Sequence, residues 1–461
     1  MNHPNPDHEP NAPHGPPYLA PWERAFDKVA SPFEEFIHNQ TSGGIVLMLA
    51  TVLALAIANS PLGGAYERML AMPFSVGVGE WMLSKTLHHW VNDGLMALFF
   101  FLVGLEIKRE VLVGELASPR QATLPIFAAI GGMIVPAGVY WLINPDGPAA
   151  LGWGIPMATD IAFAVGVLVL LGDRVPKTLM MFLVALAIVD DLGAVLVIAL
   201  FYTDKIAYDA LLFASVVFAV LLAFNLAGVR RTGPYFVVGL ILWLAMLKSG
   251  VHATIAGVLI AIAIPARAKF DPERFSRRMR RLLDRFDASY RPGVGILRND
   301  EQYAVARTLK NAVDKVETPL QRLEHGLHVP VALFVIPVFA LFNAGINIEG
   351  QALGAVLQDP VTLGVMLGLV VGKVLGIVGA SWLAIKLNIA SLPSGAHFIQ
   401  LVGVGFIGGI GFTMSIFIAE LAFVGMPDQL LMAKTGILFA SFSAGVAGYV
   451  WLRWLTPRTA L

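Results

Sequence analysis

Apolar positions along the chain fall into long runs separated by short polar segments, and most runs are long enough to cross a hydrocarbon core of about 30 Å as an α-helix. The pattern predicts twelve spans, at 43–60, 91–113, 121–143, 151–172, 177–201, 207–227, 234–248, 250–266, 328–347, 359–386, 396–420 and 434–455. The seventh and eighth are short and separated only by Lys248-Ser249-Gly250, so a single kinked helix is the alternative there. Alternating segments of about ten residues, the mark of a membrane β-barrel, do not occur. Two connections are more than turns. Residues 61–88 contain Pro73-Phe74-Ser75-Val76-Gly77-Val78-Gly79, which predicts a short strand or hairpin. Residues 267–327 are charged, with amphipathic helices expected around 271–286 and 301–318.

Composition agrees with an all-α integral membrane protein. The chain is 57% apolar and 14% charged, against about 25% charged in soluble domains. It has no cysteine, which excludes disulfides, thiolate metal sites and thiol catalysis. A net charge of zero gives no field to attract nucleic acid. Residues 1–40, rich in Pro, His and Asn without an apolar stretch, read as a disordered tail.

Charge placement orients the spans. With the N-terminal tail inside, the inside segments hold 26 of the 32 Lys and Arg residues and the outside segments 5, with Lys373 inside a span. Leaving out the long loop, the bias is still 12 to 5. Both termini, 1–40 and 456–461, are therefore expected in the cytoplasm. So is the 267–327 loop that divides spans 1–8 (41–266) from spans 9–12 (328–455). The 61–88 connection is expected outside.

Ionisable groups inside spans are costly, so each one points to function. They are Asp160 in the fourth span, the adjacent Asp190 and Asp191 in the fifth, and Lys373 in the tenth. Arg174 and Lys177 mark an inside turn; Asp160 and Asp191 each lie 14 residues from it, which places both about 20 Å deep. Lys373 is near the middle of its own span. A single ion pair between Asp190 and Lys373 that merely orients helices is the competing reading. It leaves the other acids without a partner, and that surplus points to transport. Carboxylate oxygens suit a hard cation such as Na⁺ or Li⁺, so Asp190 and Asp191 are the expected transient ligands. Burial and a neighbouring acid both favour the protonated form of a carboxyl, so such a site holds either protons or a metal cation.

Two spans carry interruptions. The fourth opens Gly152-Trp153-Gly154-Ile155-Pro156 before Thr159 and Asp160. The eleventh contains Gly403, Gly405, Gly408, Gly409 and Gly411 before Thr413. In each, a Phe follows the Thr by four residues, and the two spans run in opposite directions. Paired broken segments predict an inverted-repeat transporter with its site at the breaks, where Thr159 would offer oxygen beside Asp160. Gly-rich close packing is the alternative for the eleventh.

The segments Ala158-Thr159-Asp160-Ile161-Ala162-Phe163-Ala164, Ala187-Ile188-Val189-Asp190-Asp191-Leu192-Gly193 and Gly372-Lys373-Val374-Leu375-Gly376 closely resemble the NhaA family of bacterial Na⁺/H⁺ antiporters. So do Gly104-Leu105-Glu106-Ile107-Lys108-Arg109-Glu110, Leu247-Lys248-Ser249-Gly250-Val251-His252-Ala253-Thr254 and Arg322-Leu323-Glu324-His325. The resemblance spans about residues 30 to 455. That family is one of those from which the inverted-repeat rule is drawn, so repeat and resemblance are a single line of inference. The resemblance implies a core of spans 3–5 and 10–12, with spans 4 and 11 unwound and crossing. It implies Asp191 as principal cation and proton carrier, with Asp190 its partner and paired to Lys373 in the proton-loaded state. It implies Asp160 balancing two helix N-termini beside Thr159. It further implies two protons exchanged inward per Na⁺ or Li⁺ outward, drive from the proton-motive force, response to cytoplasmic pH, residence in the inner membrane, and a homodimer through 61–88. No cofactor is implied. The long loop departs from the family pattern, with about 285–315 as the expected insertion.

Glu106, Glu110 and Glu324 lie at inside helix ends, where the resemblance implies a pH response; ordinary interfacial charge is an equal alternative. His252 titrates in the right range for a sensor, although a hydrogen-bonded structural role competes. Asp93 reads as a helix N-terminal residue, Glu420 as a boundary charge, and His88 and His89 as interfacial. Two other functions are weighed. An intramembrane aspartyl protease also uses two buried aspartates, but its Gly-x-Gly-Asp signature is absent and a midplane Lys has no use there. A passive cation channel needs a continuous lined pore, whereas these charges are asymmetric and internal to one chain.

Overall fold

A computed structural model describes residues 40–78, 81–203, 206–267, 272–291, 298–313, 317–347 and 353–455. The two terminal tails expected at 1–40 and 456–461 fall almost entirely outside these residues, as does part of the expected insertion. The chain is a helical bundle with one β-hairpin. In order it runs α1 (Gln40–Ala58), α2 (Gly63–Leu70), β1 (Pro73–Val78), β2 (Trp81–Thr86), α3 (Met96–Val113) and α4 (Pro119–Ile143). A 3-10 segment (Pro148–Met157) then precedes α5 (Ile161–Leu171), α6 (Lys177–Phe201), α7 (Tyr208–Leu226), α8 (Thr232–Ser249) and α9 (Ile255–Ala263). The charged segment supplies α10 (Pro272–Ala288) and α11 (Asp300–Val313). The rest comprises α12 (Pro319–Pro330), α13 (Ile336–Asn343), α14 (Leu353–Gln358), α15 (Pro360–Leu367), α16 (Lys373–Lys386), α17 (Phe398–Gly408), α18 (Phe412–Ala422) and α19 (Pro427–Val450).

Among the described residues, eight helices are long and apolar enough to cross a membrane, or ten if each of two bent pairs counts as one. This is a multi-pass membrane protein. Two of the twelve expected spans fall short of that measure for physical reasons. The α3 helix carries Glu106, Lys108, Arg109 and Glu110 in its last turns. The stretch expected as 250–266 is helical only over Ile255–Ala263, because Gly250, at φ +81°, ends α8 in a left-handed turn.

The helices sort into two groups that share one seam. The core group contains α4, the 3-10 segment with α5, α6, α15 with α16, α17 with α18, and α19. The tightest packing in it joins α4 to α16, where Gly131 and Gly376 face one another backbone to backbone with no room for a side chain. The second group, the panel, contains α1, α3, α7, α8, α9, and α12 with α13. The seam carries aromatic contacts, with Phe100 of α3 and Phe339 of α13 at 5.4 and 6.2 Å from Phe417 of α18.

The bundle has two distinct ends. At one, β1 and β2 pair antiparallel from Pro73 opposite Thr86 to Val78 opposite Trp81, so of the expected strand or hairpin the structure has the hairpin. At the other, α9 ends and α12 begins, with the Leu320 amide donating to the Pro265 carbonyl across the charged segment. We refer to these as the hairpin end and the loop end.

Candidate functional site

The site forms where two helices break at the same depth. Glycines and a proline deny the chain before Asp160 a regular helix, and Ala158 to Asp160 lie extended between the 3-10 segment and α5. On the opposing strand of the bundle, Gly409, Ile410 and Gly411 separate α17 from α18, whose axes bend by 47°. Broken helices expose backbone groups that have no water to turn to in a bilayer. Here the two breaks satisfy one another. The Asp160 amide donates to the Ile410 carbonyl at 2.7 Å, and the Ser415 hydroxyl donates to the Ile155 carbonyl at 2.8 Å.

One carboxylate serves both new helix N-termini. Asp160 Oδ1 accepts from the Phe163 amide at 3.1 Å, capping α5. Its Oδ2 accepts from the Thr413 amide at 3.0 Å and the Thr413 hydroxyl at 2.5 Å, holding the start of α18. Two helix dipoles point their positive ends at this group, so a single buried negative charge is stabilised from both sides.

The neighbouring α6 helix is uninterrupted and crosses the bundle at this depth. Adjacent residues on a helix point about 100° apart, so Asp190 and Asp191 take different neighbours. Asp190 Oδ2 pairs with Lys373 Nζ, and both side chains are fully buried. The Thr159 hydroxyl lies 2.8 Å from both Asp190 Oδ2 and the Gly408 carbonyl, and its one proton serves either. Asp191 is also buried, yet neither of its carboxyl oxygens has a hydrogen-bond partner, nor does Asp190 Oδ1. Buried polar atoms are nearly always paired, so three unpartnered carboxyl oxygens on adjacent residues mark a place built for something that comes and goes. Through space Asp191 senses Asp190, Asp160 and Lys373, and toward the loop end Glu106.

All five residues expected at the centre, Thr159, Asp160, Asp190, Asp191 and Lys373, are thus brought together. The peripheral candidates fall in two places. Glu106 faces Glu324, Arg109 and Glu110 at the loop end. There Arg109 joins the other two acids, with Nε at 2.7 Å from Glu324 and a second guanidinium nitrogen at 2.8 Å from Glu110. Glu110 also accepts the Glu115 amide at 2.9 Å, capping the turn after α3. His252 lies at the hairpin end, where its Nε2 donates to the Tyr202 carbonyl at 2.5 Å, far from this cluster.

Thr413 and the carbonyls of Gly408 and Ile410 are part of the site and were not among the expected residues. A signal for Thr413 was legible: it occupies the position in the eleventh span that Thr159 occupies in the fourth. The carbonyls leave no trace in side-chain chemistry. Glu420, read as a boundary charge, and His88, read as interfacial, lie together with Lys434 at the hairpin end.

A family model described as Na⁺/H⁺ antiporter 1 matches residues 34–452. The chain belongs to the NhaA family of Na⁺/H⁺ antiporters. That family consists of secondary transporters and not of enzymes. Among NhaA relatives, the Na(+)/H(+) antiporter NhaA 1 of Saccharophagus degradans is 54% identical over 431 residues, 94% of this chain and 93% of that protein. The Na(+)/H(+) antiporter NhaA of Sulfurimonas denitrificans is 55% identical over 436 residues, 95% and 98% of the two chains. That of Dichelobacter nodosus is 49% identical over 436 residues, 95% and 94%. NhaA membership therefore covers both broken helices, α6 and Lys373.

Proposed function

We propose that the chain exchanges Na⁺ or Li⁺ for protons at Asp191 and Asp190, with two protons entering the cell for each cation expelled. The observation that carries this reading is the set of three unpartnered, buried carboxyl oxygens beside a buried ion pair. A dehydrated Na⁺ or Li⁺ needs oxygen ligands, and Asp191 with the free oxygen of Asp190 and the Thr159 hydroxyl supplies them. In the proton-loaded state Asp191 is neutral and Lys373 neutralises Asp190. Cation entry displaces the Asp191 proton, draws Asp190 away from Lys373, and lets Lys373 give up its own proton. Two protons thus leave the site for one cation, and each cycle carries one net positive charge inward. The proton-motive force then drives sodium out, for sodium and pH homeostasis. Asp160 meanwhile holds the two helix N-termini together through its bonds to Phe163 and Thr413.

The excess of Lys and Arg at the loop end supports a reading in which that end and both termini face the cytoplasm across the inner (plasma) membrane. Glu106, Glu110 and Glu324 then lie on the cytoplasmic approach to Asp191, where protons would regulate access. The hairpin supports a homodimer. A two-stranded sheet is marginal alone, and this one leaves Phe74, Val76 and Met82 at least half exposed on free strands.

The test is proton release from acid-loaded proteoliposomes on adding NaCl, LiCl or KCl, for wild type beside Asp191→Asn. Cation-specific release that vanishes in the variant supports the reading. Cation movement without protons would make the protein a channel and overturn it.

A further inference from the structure

At the hairpin end, seven residues from the Thr413 turn of α18, a second cluster of charged groups closes the seam between core and panel. Glu420, on the last turn of α18, receives Lys434 Nζ of α19 at 2.5 Å, so both belong to the core. Across the seam His88, in the short turn Leu87–Trp90 that leads into α3, brings Nε2 to 3.6 Å from Glu420 Oε1. The same nitrogen donates to Asn343 Oδ1 at 2.9 Å, at the end of α13. Asn343 in turn donates from Nδ2 to Asn92 Oδ1 at 2.8 Å and to the Phe339 carbonyl at 2.9 Å. His88, Asn92 and Asn343 thus form one rigid panel unit. Among the described residues, it reaches a charged group of the core at His88 to Glu420. One turn nearer the site, Phe417 of the core lies against Phe100 and Phe339 of the panel.

We propose that His88, Glu420 and Lys434 form a proton-responsive latch on the hairpin side of the antiporter, and that it must part for the site to open there. This rests on the antiport reading, because only a transporter with alternating access needs such an opening. A protonated His88 sets a positive charge 3.6 Å from Glu420, whose side chain is largely buried, so the attraction exceeds that of a fully exposed pair. A neutral His88 keeps its hydrogen bond to Asn343 and loses that attraction. Acid on the hairpin side therefore holds the seam shut, and alkali frees it. The other titratable groups facing the cluster are His89 on the same turn, Asp93 one turn on, Lys85 at the end of β2 and the Tyr66 hydroxyl of α2. Asp93 also faces His252. None of these spans the seam as the His88–Glu420 contact does. His88, Glu420 and Lys434 are positioning residues and touch neither cation nor carrier carboxylate.

The chain has no native cysteine, so Ala344→Cys, buried beside Asn343, reports opening through its labelling by a membrane-impermeant maleimide added from the hairpin side. Labelling in proteoliposomes is expected to be about fivefold faster in alkaline medium, at about pH 9, than in acid medium, at about pH 5. His88→Gln should label fast at both, His88→Arg slowly at both, with Na⁺-driven proton release measured on the same vesicles. If His88→Gln keeps the wild-type pH dependence, or if the wild type shows none, the latch is overturned. Loss of Na⁺-driven proton release in the wild type would sink the antiport reading instead, and the labelling ratios would still report on the seam.

Discussion

Asp190 and Lys373 are neighbours whose worth depends on each other. Removing one partner of a buried pair leaves an uncompensated charge, which costs about 3–5 kcal/mol unless the survivor changes protonation. Lys373→Ala is therefore expected to lower the apparent melting temperature in detergent and to raise the Na⁺ concentration needed for half-maximal exchange. Unchanged values of both would refute the pairing. Thr159→Val tests a smaller term. Losing one hydroxyl ligand and one donor to Asp190 should weaken apparent Na⁺ affinity by about tenfold, the equivalent of one charged-group hydrogen bond. The four central charges could be read from the sequence because a charge at membrane depth has few innocent explanations. Thr413 could not be read with the same force. A threonine is cheap anywhere in a helix, and only its contact with Asp160 shows its use.

At the scale of elements, the site depends on how closely α4 and α16 approach. Lys373 opens α16, and one turn later Gly376 meets the backbone of Gly131. A β-carbon at Gly376 would come within 2.6 Å of the Gly131 carbonyl carbon and 3.1 Å of the Gly132 amide, and backbone cannot yield as a side chain does. Gly376→Ala should therefore separate the two helices and displace Lys373, lowering both thermal stability and exchange. Gly379→Ala, one turn on with open space around it, serves as the control and should change neither. The hairpin makes a separate prediction. Deleting the β1–β2 turn and strands should shift the purified protein from dimer to monomer in size-exclusion chromatography with light scattering, while leaving the fold of the bundle intact.

For the whole molecule, the proposed stoichiometry sets a sign. One net positive charge moves inward per cycle, so an inside-negative potential should accelerate Na⁺ efflux from right-side-out vesicles and an inside-positive one should slow it. Indifference to a potassium–valinomycin clamp would mean one proton per cation. Competition sets a second sign. Where Asp191 and Lys373 both carry their protons, each proton that Na⁺ must displace raises the apparent half-saturating Na⁺ by about tenfold per unit of acidification. A slope nearer two than one in that plot would support two displaced protons.

The sequence by itself determined the class of molecule, the positions of most spans, the two broken helices and the identity of the buried charges. The charges could be read because a polar group in hydrocarbon is expensive wherever it falls, and the breaks because glycine and proline interrupt a helix whatever surrounds it. Two expected spans fall short of the length and apolarity of a full crossing where that logic weakens. The four charges of α3 and the left-handed turn at Gly250 trade membrane length for local chemistry. Only the tertiary structure decided what those charges do to one another. It gave Lys373 to Asp190, left Asp191 without a hydrogen-bond partner, and pointed two helix N-termini at Asp160. It also drew His88, Glu420 and Lys434 from three distant segments into one cluster. Pairing is a property of distances across the fold, and residues hundreds of positions apart carry no mark of it in the chain.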